Sequence, residues 1–172
     1  VLFGEHGAEK WNVSDGAWSK LVDLLTPVVN LAKESDIMLV VETGNNAMIT
    51  SCFLGRKLID DLDTKHLKVL WDPANALYCG ENPSKNALDS MEGGYLGHVH
   101  MKDVEVAIHQ AKIKCVALGE GQMAPHLQKI SERLNQIGYD GSMSLESVYR
   151  PTEGNFEDGF NASITKFKNL YS

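Results

Sequence analysis

Short apolar segments that end in a carboxylate or a histidine recur along this chain at intervals of about 30 residues. Three of them end at Glu42, Asp72 and His100, which are 30 and 28 residues apart, and a fourth ends at Glu146. Short continuous apolar runs are typical of strands that are buried on both faces of a parallel sheet. Parallel strands need a crossover connection, usually a helix. The repeat therefore restricts the chain to an alternating α/β architecture.

The segments between these strands carry the apolar periodicity of amphipathic helices. Ser14 or Asp15 is a candidate N-cap for the first helix, and Gly138 is a candidate terminator of a later one. The predicted elements are a helix over 18–32, a strand over 37–42, a helix over 47–62, a strand over 68–72, a loop over 73–84, a short helix over 86–91, strands over 96–100 and 113–118, a helix over 123–137, a strand over 142–146 and a helix over 160–171. Residues 103–112 fit either a short helix or one arm of a hairpin.

The spacing favours one α/β architecture over another. A (β/α)8 barrel averages about 31 residues per βα unit. A doubly wound sheet would bind its ligand at a glycine-rich turn, and the G-x-G-x-x-G motif is absent from the chain. We therefore predict a (β/α)8 TIM barrel, in which the strand over 113–118 divides the 46 residues between His100 and Glu146 into two units.

The strand count predicts that residues 1–172 are the C-terminal portion of a single barrel domain. The five predicted strands would correspond approximately to strands 4 to 8, and only the apolar residues 1–3 lie in front of the first helix. About three βα units are then expected before Val1. The strands that end in Glu42 and Glu146 would be open apolar edges without them. We therefore expect stability only with that N-terminal part or in a homo-oligomer that covers these edges.

Charge and composition exclude several classes of protein. The chain has 16 Lys and Arg against 23 Asp and Glu, a net charge of −7, which argues against nucleic acid or an anionic membrane as a partner. The longest apolar run, 37–41, is far too short to span a bilayer. The three cysteines form no C-x-x-C pair. A reducing compartment fits this pattern, and we expect a cytoplasmic protein.

Four residues with metal-binding side chains stand at the carboxyl ends of predicted strands, where barrels place their active sites. They are Glu42, Asp72, His100 and Glu146. Three converging carboxylates repel one another, and a bound divalent cation removes that repulsion. Three carboxylates and one imidazole favour one divalent ion, with Mn²⁺ the best fit and Mg²⁺, Co²⁺ or Zn²⁺ as alternatives.

Neighbouring residues are candidates for contacts with a substrate. Lys102 lies on the same side of its strand as His100 and one step beyond it, where its ammonium group could bind substrate oxygens. His98 lies on that side but one layer deeper, where packing in the barrel is the stronger expectation. The turn over 119–121 precedes a helix, but the charge of Glu120 would repel a phosphate, so we interpret it as a tight turn.

In order and spacing, several segments resemble the xylose isomerase-like superfamily of TIM barrels, which contains sugar phosphate isomerases and epimerases and shares its fold with endonuclease IV. The matching segments are 39–42 (LVVE), 69–75 (VLWDPAN), 98–103 (HVHMKD), 118–121 (LGEG) and 138–146 (GYDGSMSLE). In ketose 3-epimerases of this group one metal is held by a matching Glu, Asp, His and Glu. The resemblance implies that Glu42 and Glu146 are also the catalytic acid and base.

This resemblance implies a metal-dependent isomerase or epimerase of a small sugar or related polyhydroxy carbonyl compound. A metal that polarises the carbonyl acidifies the adjacent C–H bond, so that one carboxylate removes the proton and the other returns it through a cis-enediolate. Isomerisation and epimerisation differ only in where the proton returns. A dehydratase or lyase on the same scaffold is an alternative, since loss of a β-hydroxyl group can follow the same abstraction. A non-catalytic sugar-binding barrel is the third alternative.

The chain departs from the ketose 3-epimerase pattern at two positions. Asn75, a predicted substrate contact, stands where those epimerases have a histidine, and Val106 stands where they have an arginine. Endonuclease IV uses that histidine and an Asp-x-His motif to bind three zinc ions, and 114–117 here is KCVA. A ketose 3-epimerase in the strict sense is therefore in doubt, and an endonuclease is disfavoured.

Overall fold

The computed structural model describes residues 14–85 and 87–171, and the apolar residues 1–3 lie outside these ranges. Helices and strands alternate over most of the described chain. They are α1 (Asp15–Glu34), β1 (Leu39–Glu42), α2 (Cys52–Asp61), β2 (Leu67–Trp71), α3 (Pro73–Tyr78), β3 (Leu96–Met101), β4 (Asp103–Ala107), β5 (Lys112–Val116), α4 (Leu127–Gln136), β6 (Ser142–Leu145) and α5 (Phe156–Tyr171), with 3₁₀ turns at Leu88–Met91 and Ile108–Gln110. None of the helices in these ranges is both long and apolar enough to cross a membrane.

Four of the strands form one parallel sheet in the order β1-β2-β3-β6. This confirms the predicted parallel α/β architecture and corresponds to part of a barrel. Within the described residues β1 and β6 are the two edges of this sheet. All four carboxyl ends lie at the same end of the sheet, because every pairing is parallel. That end holds the four candidate metal ligands.

The prediction of a barrel strand over 113–118 is wrong. Residues 112–116 form β5, which pairs antiparallel with β4 in a separate two-stranded sheet. Only residues 108–111 connect these two strands, and Ala111 takes a positive φ of 50° there. So short a connection allows a hairpin but no parallel crossover. The 46 residues between His100 and Glu146 therefore hold one βα unit that carries a hairpin, and residues 103–107 are the hairpin's other arm.

The predicted loop over 73–84 is also partly wrong, because α3 occupies 73–78. Pro73 is the first residue of α3, where its missing N–H is not needed and its fixed φ suits a helix. Asp72 is the N-cap and accepts hydrogen bonds from Ala74 N and Asn75 N. Other helix ends agree with the sequence: Ser14 caps α1, and Gly138 follows α4 with a φ of 67°.

The parallel sheet has one face that packs against helices and one that faces away from them. On β2, Leu67, Val69 and Trp71 are buried, and a Cβ at Gly55 of α2 would lie 2.6 Å from Val69 Cγ2. On the other face, a Cβ at Gly97 of β3 would lie 2.8 Å from the Cβ of Lys68. Side chains alternate along a strand, so Asp72 projects on this second face.

Asp103 anchors the hairpin to the loop that follows it. Its side chain is buried, with the residue only 1% exposed, and its carboxylate accepts four backbone hydrogen bonds of 2.8 to 3.0 Å. The donors are the N–H groups of Val104, Gly119, Gly121 and Met123. The amides that could have bound a phosphate therefore bind an internal carboxylate, and 119–121 is a tight turn as expected.

Gly121→Ala is expected to lower the free energy of unfolding by about 3 kcal/mol, because the added Cβ overpacks a site that cannot expand. It would lie 2.6 Å from the Val104 carbonyl oxygen and 2.7 Å from Val116 Cγ2, and it would also contact the Asp103 carboxylate. Urea unfolding of both proteins measures the change. Gly16→Ala is the matched control: nothing lies within 4 Å of a Cβ there, and a small stabilisation is expected. Equal midpoints for the two variants would contradict the prediction.

Candidate metal centre

Glu42, Asp72, His100 and Glu146 meet at the carboxyl end of the parallel sheet. One ligand atom from each lies within 4.8 Å of the others. Glu42 is the last residue of β1, Asp72 and Glu146 directly follow β2 and β6, and His100 is the penultimate residue of β3. The Glu146 N–H still donates to the Met101 carbonyl at 2.9 Å, so the parallel ladder itself positions this side chain.

The imidazole of His100 stands between the two glutamates. Its Nδ1 lies 3.4 Å from Glu42 Oε1 and 3.7 Å from Glu146 Oε2. Among the described residues, this buried nitrogen has no hydrogen-bond partner. A buried polar atom without a partner is costly unless something else binds it. The nitrogen and the three surrounding carboxylates form a donor set that fits a divalent ion such as Mn²⁺.

Asp72 is the most constrained member of the cluster. The residue is fully buried, and its Oδ1 accepts two hydrogen bonds of 3.0 Å from the first turn of α3. Its backbone N–H donates to Thr43 Oγ1 at 2.9 Å. These contacts leave Oδ2 as the oxygen that faces the cluster. Burial raises the pKa of Asp72, although the nearby ammonium group of Lys102 acts in the opposite direction.

Lys102 brings a positive charge into the cluster. Its Nζ lies 2.5 Å from Asp72 Oδ2 and 2.7 Å from Glu146 Oε2, and its side chain is only 11% exposed. Burial alone would lower the pKa of Lys102, but the two carboxylates outweigh it and raise the pKa. Burial likewise opposes ionisation of Glu146, but Lys102 outweighs it and the pKa of Glu146 is lowered. Lys102 offsets only part of the negative charge of the three carboxylates, and a divalent cation would offset the remainder.

The two other predicted substrate contacts are engaged with protein groups. His98 Nε2 lies 2.9 Å from Ser144 Oγ, and its ring meets His100 edge-on with centroids 5.2 Å apart. Burial, followed by the charge of His100, lowers the pKa of His98. The Asn75 side-chain amide donates to the Thr43 carbonyl at 3.1 Å. His98 therefore lies beneath the cluster and Asn75 beside it, and their contact with a substrate stays a prediction.

A profile of the xylose isomerase-like TIM barrel family matches residues 1–169. The chain belongs to this family. Among curated protein sequences, no significant match to it was found. The strands of such a barrel are parallel, which explains why the four strand ends lie at the same end of the sheet.

Solved structures with the same fold include three proteins that are described as having different activities or names. The first is 3-keto-D-glucoside 4-epimerase from E. coli, with 21% identity and a TM-score of 0.71 over 98% of this chain and 61% of that one. The second is the probable 3-DHS dehydratase AsbF from Bacillus anthracis, with 18% identity and a TM-score of 0.68 over 96% of this chain and 61% of that one. The third is the IolI protein with a zinc atom, with 17% identity and a TM-score of 0.73 over 96% of this chain and 60% of that one. The chain therefore spans about three fifths of their length. Identities this low establish a common fold and nothing further.

Two residues that the sequence pattern does not mark as functional support the candidate ligands of this xylose isomerase-like barrel. Thr43 is fully buried and binds the backbone of Asp72, which locks the ends of β1 and β2 together. Ser144 supports His98, which in turn packs against His100. Ser144 lies two residues before Glu146, so the period-2 alternation that placed His98 under His100 would have identified it.

Proposed function

We propose that this chain carries the metal site of a divalent-metal-dependent isomerase or epimerase that acts on a small sugar or a related polyhydroxy carbonyl compound. The observation that carries the proposal is the convergence of four ligand atoms within 4.8 Å at the mouth of a xylose isomerase-like barrel. Glu42, Asp72, His100 and Glu146 would hold the ion, with Mn²⁺ the best fit and Mg²⁺, Co²⁺ or Zn²⁺ as alternatives. When bound, the ion supplies Lewis acidity that acidifies the C–H bond beside a substrate carbonyl.

The different exposures of the carboxylates support different roles for them. Asp72 is fully buried, and one of its two carboxylate oxygens caps helix α3, so we assign it as a ligand only. The side chains of Glu42 and Glu146 are 43% and 35% exposed, so that a substrate can reach both. We assign them as the base and the acid: one accepts the proton from carbon, and the other donates a proton to the resulting cis-enediolate.

Three further side chains would bind the substrate. Lys102 is the lysine that contacts the carboxylates within the described ranges, and it would bind hydroxyl or carbonyl oxygens. Asn75 lies at the start of α3, beside the capped end of β2, and His98 lies on the layer beneath His100. This assignment of Lys102, Asn75 and His98 rests on their position around the cluster.

A dehydratase or lyase is the second candidate function. One structure with this fold is described as a probable dehydratase, and elimination begins with the same proton abstraction. Product analysis separates the two reactions, because dehydration yields an unsaturated or deoxy keto product and isomerisation yields an isomer of equal mass.

The proposed function is tested by metal analysis and by proton exchange with solvent. The purified protein is expected to bind one divalent ion per chain. It should exchange a carbon-bound proton with D₂O in at least one member of a panel of pentoses, hexoses, keto-glucosides and inositol derivatives. Treatment with EDTA should abolish the exchange, and Mn²⁺ should restore it. A protein that binds no divalent ion and exchanges no proton would contradict the proposal and favour a non-catalytic sugar-binding barrel.

A further inference from the structure

Lys102 places a cation between two carboxylates of the cluster. Its ammonium group contacts Asp72 Oδ2 at 2.5 Å and Glu146 Oε2 at 2.7 Å. Asp72 Oδ1 is already committed to two backbone N–H groups of α3, so Oδ2 is the oxygen that remains for a metal. Lys102 and a bound ion would therefore compete for Asp72 Oδ2, and Lys102 also contacts one carboxylate oxygen of Glu146.

The carboxylates need a cation whether or not a metal is present. Asp72 is fully buried, the side chain of Glu146 is about two-thirds covered, and both lie within 4.8 Å of Glu42 and His100 in the cluster. Like charges at such distances in a partly desolvated site repel strongly. Within the described residues, Lys102 is the lysine that forms an ion pair with Asp72, and it also forms the one with Glu146. An aliphatic side chain at position 102 would leave the repulsion without compensation.

We propose that Lys102 is a positioning residue that substitutes for the metal in the metal-free protein, holding Asp72 and Glu146 at ligand distance and competing with an incoming divalent ion for their oxygens. The inference rests on the proposed metal site and adds a role for Lys102 that precedes any contact with substrate. It predicts opposite effects of removing the charge: the metal-free protein becomes less stable, and the affinity for the metal increases.

Lys102→Met tests the inference, because it keeps the aliphatic stem and removes the charge. In EDTA its thermal midpoint is expected to lie several degrees below that of the wild type. Titration with Mn²⁺, followed by calorimetry or by the electron paramagnetic resonance signal of the free ion, is expected to show binding that is tighter by roughly tenfold or more, since the repulsion between two cations is removed. The stabilisation by saturating Mn²⁺ should increase accordingly.

Two further variants control for packing and for net charge. Lys102→Arg keeps the charge and is expected to fold in EDTA with a Mn²⁺ affinity near that of the wild type. Lys68→Met removes a positive charge from the same face of the sheet, about 13 Å from Asp72 along β2, and is expected to change Mn²⁺ affinity far less. If Lys102→Met folds only in the presence of Mn²⁺, the inference is supported as well.

The inference and the proposed function fail in different ways. If the wild type and Lys102→Met bind Mn²⁺ equally well, or the variant binds it more weakly, Lys102 does not compete with the ion and the inference is overturned while the metal site stands. An unchanged thermal midpoint of Lys102→Met in EDTA overturns the inference as well. If neither protein binds a divalent ion, the proposed function and the inference both fall.

Discussion

Glu146→Gln is expected to lower interconversion of substrate and product by at least about a thousandfold, because the amide can still bind a metal through its oxygen but can no longer accept or donate a proton at carbon. The chain should remain folded, since Glu146 is partly exposed and its backbone N–H still donates to the Met101 carbonyl. Mn²⁺ binding should weaken only modestly by comparison. The measurements are the rate of product formation and a Mn²⁺ titration of the same preparation.

Deuterium exchange sharpens this prediction, because the two glutamates are assigned to opposite sides of the reacting carbon. If the reaction is an epimerisation, Glu146→Gln should retain exchange with D₂O in one epimer and lose it in the other, and Glu42→Gln should show the reverse. Glu153→Gln removes an exposed carboxylate from the loop after β6 and should leave both reactions intact. Near wild-type interconversion by Glu146→Gln would contradict the assignment of this residue.

The convergence of the four candidate ligands could be predicted from sequence because their placement follows from two local rules. Parallel strands bring their carboxyl ends to one edge of a sheet, and a residue's place at the strand end then fixes where its side chain lies. Glu42, Asp72, His100 and Glu146 satisfy both rules and meet in the structure. The contacts of Lys102 depend on the reach of a long side chain after the strand, which a pattern of residue types does not specify.

The hairpin could not be predicted in the same way. An apolar run such as Ile113–Leu118 has the same local pattern in a barrel strand and in a hairpin arm, and tertiary contacts decide between them. The deciding contacts are made by Asp103, whose carboxylate binds amides up to twenty residues further along the chain. The helix at 73–78 is a different case, because Asp72 followed by Pro73 is a recognisable helix start within the sequence.

Asp103→Asn is expected to lower the free energy of unfolding by about 3–5 kcal/mol, because it disrupts hydrogen bonds to a buried charged acceptor. Both carboxylate oxygens accept hydrogen bonds, with Val104 N and Met123 N on Oδ1 and Gly119 N and Gly121 N on Oδ2. Asparagine can keep one acceptor, but its NH₂ group would then face two N–H donors. Each lost bond to a buried charged acceptor costs roughly 1.5–3 kcal/mol.

Urea unfolding monitored by circular dichroism measures this change, and Glu105→Gln is the matched control. Glu105 lies on the same hairpin arm, but its side chain is 57% exposed and its ion pair with Lys114, at 3.5 Å, is a surface contact, so its loss should leave the midpoint unchanged.

The position of Asp103 in the chain connects this effect to the candidate metal centre. Asp103 directly follows Lys102, so a loosened hairpin should also displace the ammonium group from Asp72 and Glu146 and alter Mn²⁺ affinity. An Asp103→Asn protein with a wild-type urea midpoint would show that the buried carboxylate does not hold the hairpin and the turn together.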